Sequence, residues 1–277
     1  MQLSIFKPPA DLDLWTTSVV TIGIDVSADA YGGSRFPALV GSHLAVVLQG
    51  QIEIWDVHQQ GWSPLPGAFL TGPQTRPLTS RHRGPLHCIS LFVRPSAVSV
   101  LVGDSATHVT DGVIDASAIW GTRWQCVEER IRGASSDTER ADLLFDFLRR
   151  AARNANSEQR LRRTARLHDS VLNSMAGAAG RNGMSTRQLQ RRFVDELGLS
   201  PKRFQRIARV EQTLRDALSG YYGGADLAMR HGFYDQAHMA RDLRELVGVP
   251  VTELLQDMEQ EGSSFWPLRL ARTPIAH

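Results

Sequence analysis

Gly232-Phe233-Tyr234-Asp235-Gln236-Ala237-His238 and, about fifty residues upstream, Ser185-Thr186-Arg187-Gln188-Leu189-Gln190-Arg191-Arg192-Phe193 share one pattern. Each places a polar cap ahead of a helix that carries apolar residues on one face and DNA-competent residues on another. In the upstream copy Ser185 and Gln188 have capping-box spacing, Leu189, Phe193 and Leu197 form a stripe at every fourth residue, and Arg187 and Arg191 lie opposite it. In the downstream copy Asp235 is the cap, Met239, Leu243, Leu246 and Val247 are the core stripe, and Ala237, His238, Arg241, Arg244 and Glu245 face outward. Two such helices in one chain suggest two reading elements held at a fixed separation.

The connection between them supports that expectation. Leu199-Ser200-Pro201 opens a helix, with Ser200 as cap and Pro201 at its first position, where a missing N–H costs nothing. Phe204, Ile207, Ala208, Leu214 and Leu218 supply its buried stripe. A rod from Pro201 to Leu218 is roughly 27 Å long, close to the spacing of one DNA turn, about 34 Å. A short helix before Gly232 and another after Pro250 complete an all-helical region from 159 to 262.

Charge is distributed to match. The net charge of the whole chain is +2, yet residues 160–220 hold 13 basic and 5 acidic side chains, whereas residues 221–262 hold 3 basic and 8 acidic. Phosphate anchoring is therefore expected from the first unit and the connecting helix, including Arg206 and Arg209, with base discrimination added by the second unit. Taken alone, either polar helix face is equally well explained as a surface that only meets water.

The first 120 residues read as β-rich. Residues 19–26, 43–48, 51–55, 68–70 and 87–93 are strand candidates, and Gly32-Gly33, Gln60-Gly61, Pro66-Gly67 and Gly72-Pro73 are turn signals. Short strands at this spacing make a sandwich or small barrel whose mouth suits a ligand. From Thr122 the pattern is helical, and Leu144, Phe147 and Leu148, widened by Leu143, form a stripe that needs a partner. Packing on the β-domain and a dimer interface both satisfy it. The polar residues 153–159 mark a domain boundary.

No apolar run reaches the roughly 18 residues of a membrane span, and residues 1–9 lack a signal-peptide stretch, so a cytoplasmic protein is expected. Cys88 and Cys126 read as ordinary buried thiols. His43, His58, His82 and His87 lack the spacing of a metal-ligand set, so neither metal nor other cofactor is expected. Trp15, Tyr31, Trp55 and Trp62 are read as core residues before pocket residues.

The joint order of Ser185, Leu189, Arg191 and Phe193, then Gly198, Ser200 and Pro201, then Leu227, Ala228, Gly232, Phe233, Asp235, Gln236, His238, Arg241 and Leu243, then Gly248 and Pro250, resembles the DNA-binding domain of AraC/XylS-family transcription regulators. The resemblance implies two helix-turn-helix units on a long helix, with both recognition helices in successive major grooves. Carried over by position, the DNA-contacting candidates are Arg187, Gln188, Gln190 and Arg191 in the first unit, and Gln236, Ala237, His238 and Arg241 in the second. Residues 174–184 depart from the pattern, because a glycine-rich stretch lengthens the turn of the first unit.

Leu48-x-Gly50 followed by Pro66-Gly67-x-Phe69-Leu70-x-Gly72-Pro73 is similar, more weakly, to the cupin-like sensor domains of that family. The expected fold is α+β: a cupin-like β-barrel sensor and association domain (1–120), a helical linker and dimerisation region (121–158), a double helix-turn-helix domain (159–262) and a tail (263–277). The expected function is sequence-specific transcription regulation, not catalysis, under control of a small-molecule effector bound in the β-domain. Expected partners are double-stranded DNA, RNA polymerase, that effector and a second copy of the chain, and no membrane. Two alternatives are a regulator controlled by a protein partner or by its expression level, and a cupin-type enzyme fused to a DNA-binding module.

Overall fold

Among the described residues ten strands make up the N-terminal part, with one short helix (Val98–Val102) before the last of them, and a helical region follows. The strands are β1 (Gln2–Phe6), β2 (Thr16–Ile24), β3 (Tyr31–Phe36), β4 (Ser42–Gln49), β5 (Ile52–Asp56), β6 (Gly61–Pro64), β7 (Ala68–Thr71), β8 (Leu78–Arg83), β9 (Leu86–Val93) and β10 (Val113–Asp115). The helices are α1 (Val98–Val102), α2 (Ala116–Trp120), α3 (Thr122–Gly133), α4 (Asp137–Ala152), α5 (Ala155–Asn173), α6 (Ala178–Arg181), α7 (Thr186–Leu197), α8 (Pro201–Leu218), α9 (Gly224–Arg230), α10 (Gln236–Val247) and α11 (Val251–Glu259). The structure is a computed structural model and describes residues 1–153, 155–219, 224–259 and 264–265. Of the expected tail only Ser264 and Phe265 fall within it; the rest lies outside the described residues.

The strands form two antiparallel sheets, a six-stranded one in the order β1-β2-β9-β4-β7-β10 and a four-stranded one in the order β3-β8-β5-β6. Among the described residues no strand pairs from one sheet to the other, so the β-domain is an open two-sheet sandwich and not the closed barrel expected. The central strands of the larger sheet are covered on both faces, which explains their nearly continuous apolar sequence. Val20, Ile22, Ala45, Val47, Phe69 and Cys88 face the second sheet. Val19, Leu44, Val46, Ile89 and Leu91 pack on the opposite side with Trp124, Leu144, Phe147 and Leu148.

That packing decides between the two partners open to α4. Leu144 and Leu148 are fully buried and Phe147 nearly so, with the Phe147 ring edge-on to Trp120 and Trp124 at 5.2 Å. The stripe is thus used within the chain and offers no dimer face. Residues 155–159 are the first turn of α5, whose Leu161 lies in the β-domain's core while Leu167 and Val171 lie in the core of the helical domain.

Two expectations about individual residues need correction. Cys126 is exposed on α3, because α3 turns Trp124, Val127 and Ile131 inward instead; Cys88 is buried, and burial pushes its thiol up to about 12. Trp15 is core, but Tyr31 and Trp55 are exposed on the outer face of the smaller sheet, where the Arg81 guanidinium lies 4.9 Å from the Tyr31 ring and 4.4 Å from Trp62.

The two domains are docked by a segment that leaves β3. Ala38 N donates to Leu246 O at 2.7 Å, and Val40 N donates to Glu211 Oε1 at 2.7 Å. Ala38 and Val40 belong to the core cluster of the helical domain, although the sheets on either side of them are the β-domain's. A second junction lies at the end of α7, where Thr110 Oγ1 donates to Gly198 O at 3.1 Å and a Cβ at Gly198 would meet that hydroxyl. Gly198 also sits at φ 74°, so two constraints select glycine there.

Candidate nucleic-acid interface

The first helix-turn-helix unit is built from α5, α6 and α7. Its glycine-rich stretch is folded around Arg181, whose guanidinium donates to Ser170 O, Ser174 O and Ala176 O and so closes the carbonyl end of α5. The capping box expected at the head of α7 is present: Gln188 N donates to Ser185 Oγ and Ser185 N to Gln188 Oε1. Leu189, Phe193 and Leu197 are buried, and Arg187, Gln188, Gln190 and Arg191 are exposed. The box occupies the oxygen of Gln188, which leaves that side chain only its amide hydrogens for a base or phosphate.

The second unit is α9, a turn through Gly232, and α10. Asp235 caps α10 by accepting from His238 N at 2.7 Å. Met239, Leu243, Leu246 and Val247 are buried as expected, and Gln236, Ala237 and Arg241 are exposed. His238 is half-buried with its ring edge-on to Phe233 at 5.5 Å and Nε2 3.7 Å from Asp242 Oδ2. It therefore presents only part of its ring to an approaching ligand.

The two connector arginines differ from the free anchors expected. Arg206 Nε donates to Asp242 Oδ1 at 2.9 Å, and its terminal nitrogens pair with both oxygens of Glu245. These bonds raise the Arg206 pKa and hold the Glu245 carboxyl below its usual range. Arg206 thus ties α8 to α10 in a bidentate pair, because the carboxylates at Asp242 and Glu245 lie on the side of α10 that meets the connector. Arg209 lies over the Phe233 ring at 5.2 Å, partly exposed. Tyr234 and Met229 carry no distinguishing signal in the sequence, yet they are 92% and 74% exposed beside Gln236 and Ala237. A large apolar side chain so exposed next to a recognition helix is a signal only a structure supplies.

In the β-domain, His43 lies between the sheets with Phe36, Phe69 and Phe92 around it at 5.6 to 6.3 Å. Its Nδ1 is 2.7 Å from Thr71 Oγ1, and burial lowers its pKa to about 4. His82 is buried against Gly84 O, and a Cβ at Gly32 would collide with its ring, which is why Gly32 sits in a strand opposite it. His87 pairs with Asp137, and His58 is exposed. Among the described residues no group of three or more His, Cys, Asp or Glu side chains is placed to hold a metal. No helix among them is long and apolar enough to cross a membrane.

Residues 178–257 match the family described as a helix-turn-helix domain. No curated protein matches the chain. Among solved structures, ToxT from Vibrio cholerae O395 is 11% identical over 86% of this chain and 97% of its own, with a TM-score of 0.46. Unsaturated fatty acid-bound wild-type ToxT from Vibrio cholerae strain SCE256 is 11% identical over 86% and 94%, also at 0.46. KdgF from Halomonas sp. is 19% identical over 33% and 76%, at 0.24. These structural likenesses are too loose to transfer a residue's role.

Proposed function

We infer that this chain, an AraC-type regulator by its helix-turn-helix residues 178–257, reads duplex DNA with α7 and α10 together. The observation that carries the reading is the state of the two recognition helices. Both bury one face, both leave polar residues of the other face exposed in their first two turns (Arg187, Gln190 and Arg191; Gln236 and Arg241), and α8, an 18-residue rod of roughly 27 Å, joins their units. Arg187, Gln190 and Arg191 of α7, with Gln236 and Arg241 of α10, are the base-reading residues. Ala237 offers only a methyl group, suited to thymine. Gln188 and Arg209 serve the backbone, and His238 is a partial contact at the edge of α10. Arg206 acts by fixing α10 on the connector.

Control is assigned to the β-domain, where the rings of Phe36, Phe69 and Phe92 surround His43. A neutral imidazole among three phenyl rings suits a small, largely apolar effector with one polar group. Phe36 and His43 lie at the two ends of the segment that carries Ala38 and Val40 into the helical domain, so ligand contacts there have a short route to α8 and α10. RNA polymerase is the expected target of regulation, and association between copies needs a surface other than the spent α4 stripe.

Duplex selection from random sequence, followed by binding of the selected site, tests the DNA reading: enrichment of a site with two conserved blocks supports it, and no enrichment refutes it. Unfolding in the presence of candidate effectors tests control, since a ligand at 100 times its Kd adds about 2.7 kcal/mol of stability.

A further inference from the structure

Four arginines converge beside α7. Arg160 and Arg163 lie one turn apart on α5, and Arg191 and Arg192 are adjacent on α7. The carboxylate between them is Glu196, itself buried. Its Oε2 accepts from Arg160 Nε at 3.0 Å and from Ser99 Oγ at 2.8 Å, and its Oε1 lies 3.8 Å from Arg163. One carboxylate balances one guanidinium, and Glu196 is already shared between two. Arg192 is left acidified by burial and then by the nearby charges of Arg163 and Arg160, against which Glu196 alone acts. Arg191 has no carboxylate partner among the described residues.

Arg163, Arg191, Arg192 and Glu196 line a groove of about 590 Å³ that runs between α7 and the turn after α6, with Gln188 and Asn182 as neutral members and Asp195 on its wall; Arg160 stands behind it, on Glu196. Even counting Asp195, three cations face two anions in the groove, and one of those anions, Glu196, is already bonded to Arg160. An oxyanion is the group that would relieve this imbalance, and guanidinium forks match its geometry. The groove takes in Gln188 and Arg191 at the edge of the exposed face of α7 but not Arg187 or Gln190, so a ligand seated there leaves those two free. That suits a backbone phosphate next to the bases being read, not a ligand that fills the face.

We propose that this groove seats a DNA backbone phosphate, with Arg163 and Arg192 as its anchors and Glu196 holding the cluster in register with Ser99 of the β-domain. The inference rests on the reading of the chain as a duplex-binding protein. It assigns the phosphate to two anchors, Arg163 and Arg192, that lie outside the exposed row Arg187, Gln190 and Arg191, at a groove whose rim Arg191 shares.

The test is titration of the full chain with a random-sequence duplex at several salt concentrations. R163Q and R192Q are each expected to weaken binding severalfold and to reduce the slope of log K against log salt by about 0.9 for each phosphate no longer neutralised. R192K, which keeps the charge, should retain most of the slope, and R130Q on α3 should match the parent chain. Parent slopes in both R163Q and R192Q, with duplex binding intact, would overturn the groove and leave the DNA reading standing. Absence of duplex binding by the parent chain would overturn both. A third outcome separates a soluble source of the same chemistry: inorganic phosphate, at matched ionic strength, stabilises the parent but not R163Q, while the salt slopes stay equal. That result would assign the groove to a free oxyanion and contradict the proposal.

Discussion

The amide of Val40 donates to Oε1 of Glu211 at 2.7 Å, so a residue between two β-strands is bonded to the helix that joins the two reading units. Burial raises the Glu211 carboxyl from 4.5 to about 7, against the opposing pull of the Val40 amide and the Arg215 charge. The folded chain thus holds this proton more tightly than the unfolded chain. Between about pH 4.5 and 7 the Glu211 contribution to stability falls as pH rises, and above 7 it is level. His43, held down at about 4, has the opposite slope between 4 and 6.5, so the two must be separated. Unfolding of the parent and E211Q across this range should give a difference curve that shifts in favour of E211Q as pH rises to 7. Parallel curves would contradict the burial of that carboxyl.

Arg206 is expected to behave as a clamp. R206A leaves Asp242 buried without its main partner and should cost roughly 1–3 kcal/mol of stability, reduced from the value of a fully buried pair by the partial exposure of Arg206. Its DNA affinity should fall through loss of α10 orientation, with the salt slope unchanged from the parent. A slope reduced by about one unit, with stability intact, would instead make Arg206 a phosphate contact.

Leu144 tests the use of the α4 stripe. L144A removes a fully buried side chain from the packing of α4 on the sheet and should destabilise the β-domain by about 2–5 kcal/mol. Chemical denaturation measures it. A cost below about 1 kcal/mol, together with a change in sedimentation, would restore that stripe as an interface.

Much of the helical domain was legible because its signals are local. The Ser185 box, the Asp235 cap, and the stripes of α7, α8 and α10 all depend on residues within a few positions of one another. The larger sheet was legible for a similar reason, since strands covered on both faces are written as apolar runs. The smaller sheet was not. β8 is Leu-Thr-Ser-Arg-His-Arg, with one face in solvent, and Gly32-Gly33 reads as a turn until His82 is seen packed over Gly32. Pairings between distant segments were equally hidden. Nothing near Arg206 indicates Asp242 and Glu245, and nothing near Glu196 indicates Ser99, because the partners lie 36, 39 and 97 residues away.

The most direct test of the central claim is a footprint of the full chain on its selected site, repeated with R187A/R191A and with Q236A/R241A. Two protected blocks about 10–10.5 base pairs apart, centre to centre, are expected. The α7 pair should remove discrimination in one block and the α10 pair in the other, each change to a base contact costing about 1–3 kcal/mol on that site. A single protected block, unaffected by one of the two pairs, would contradict the account.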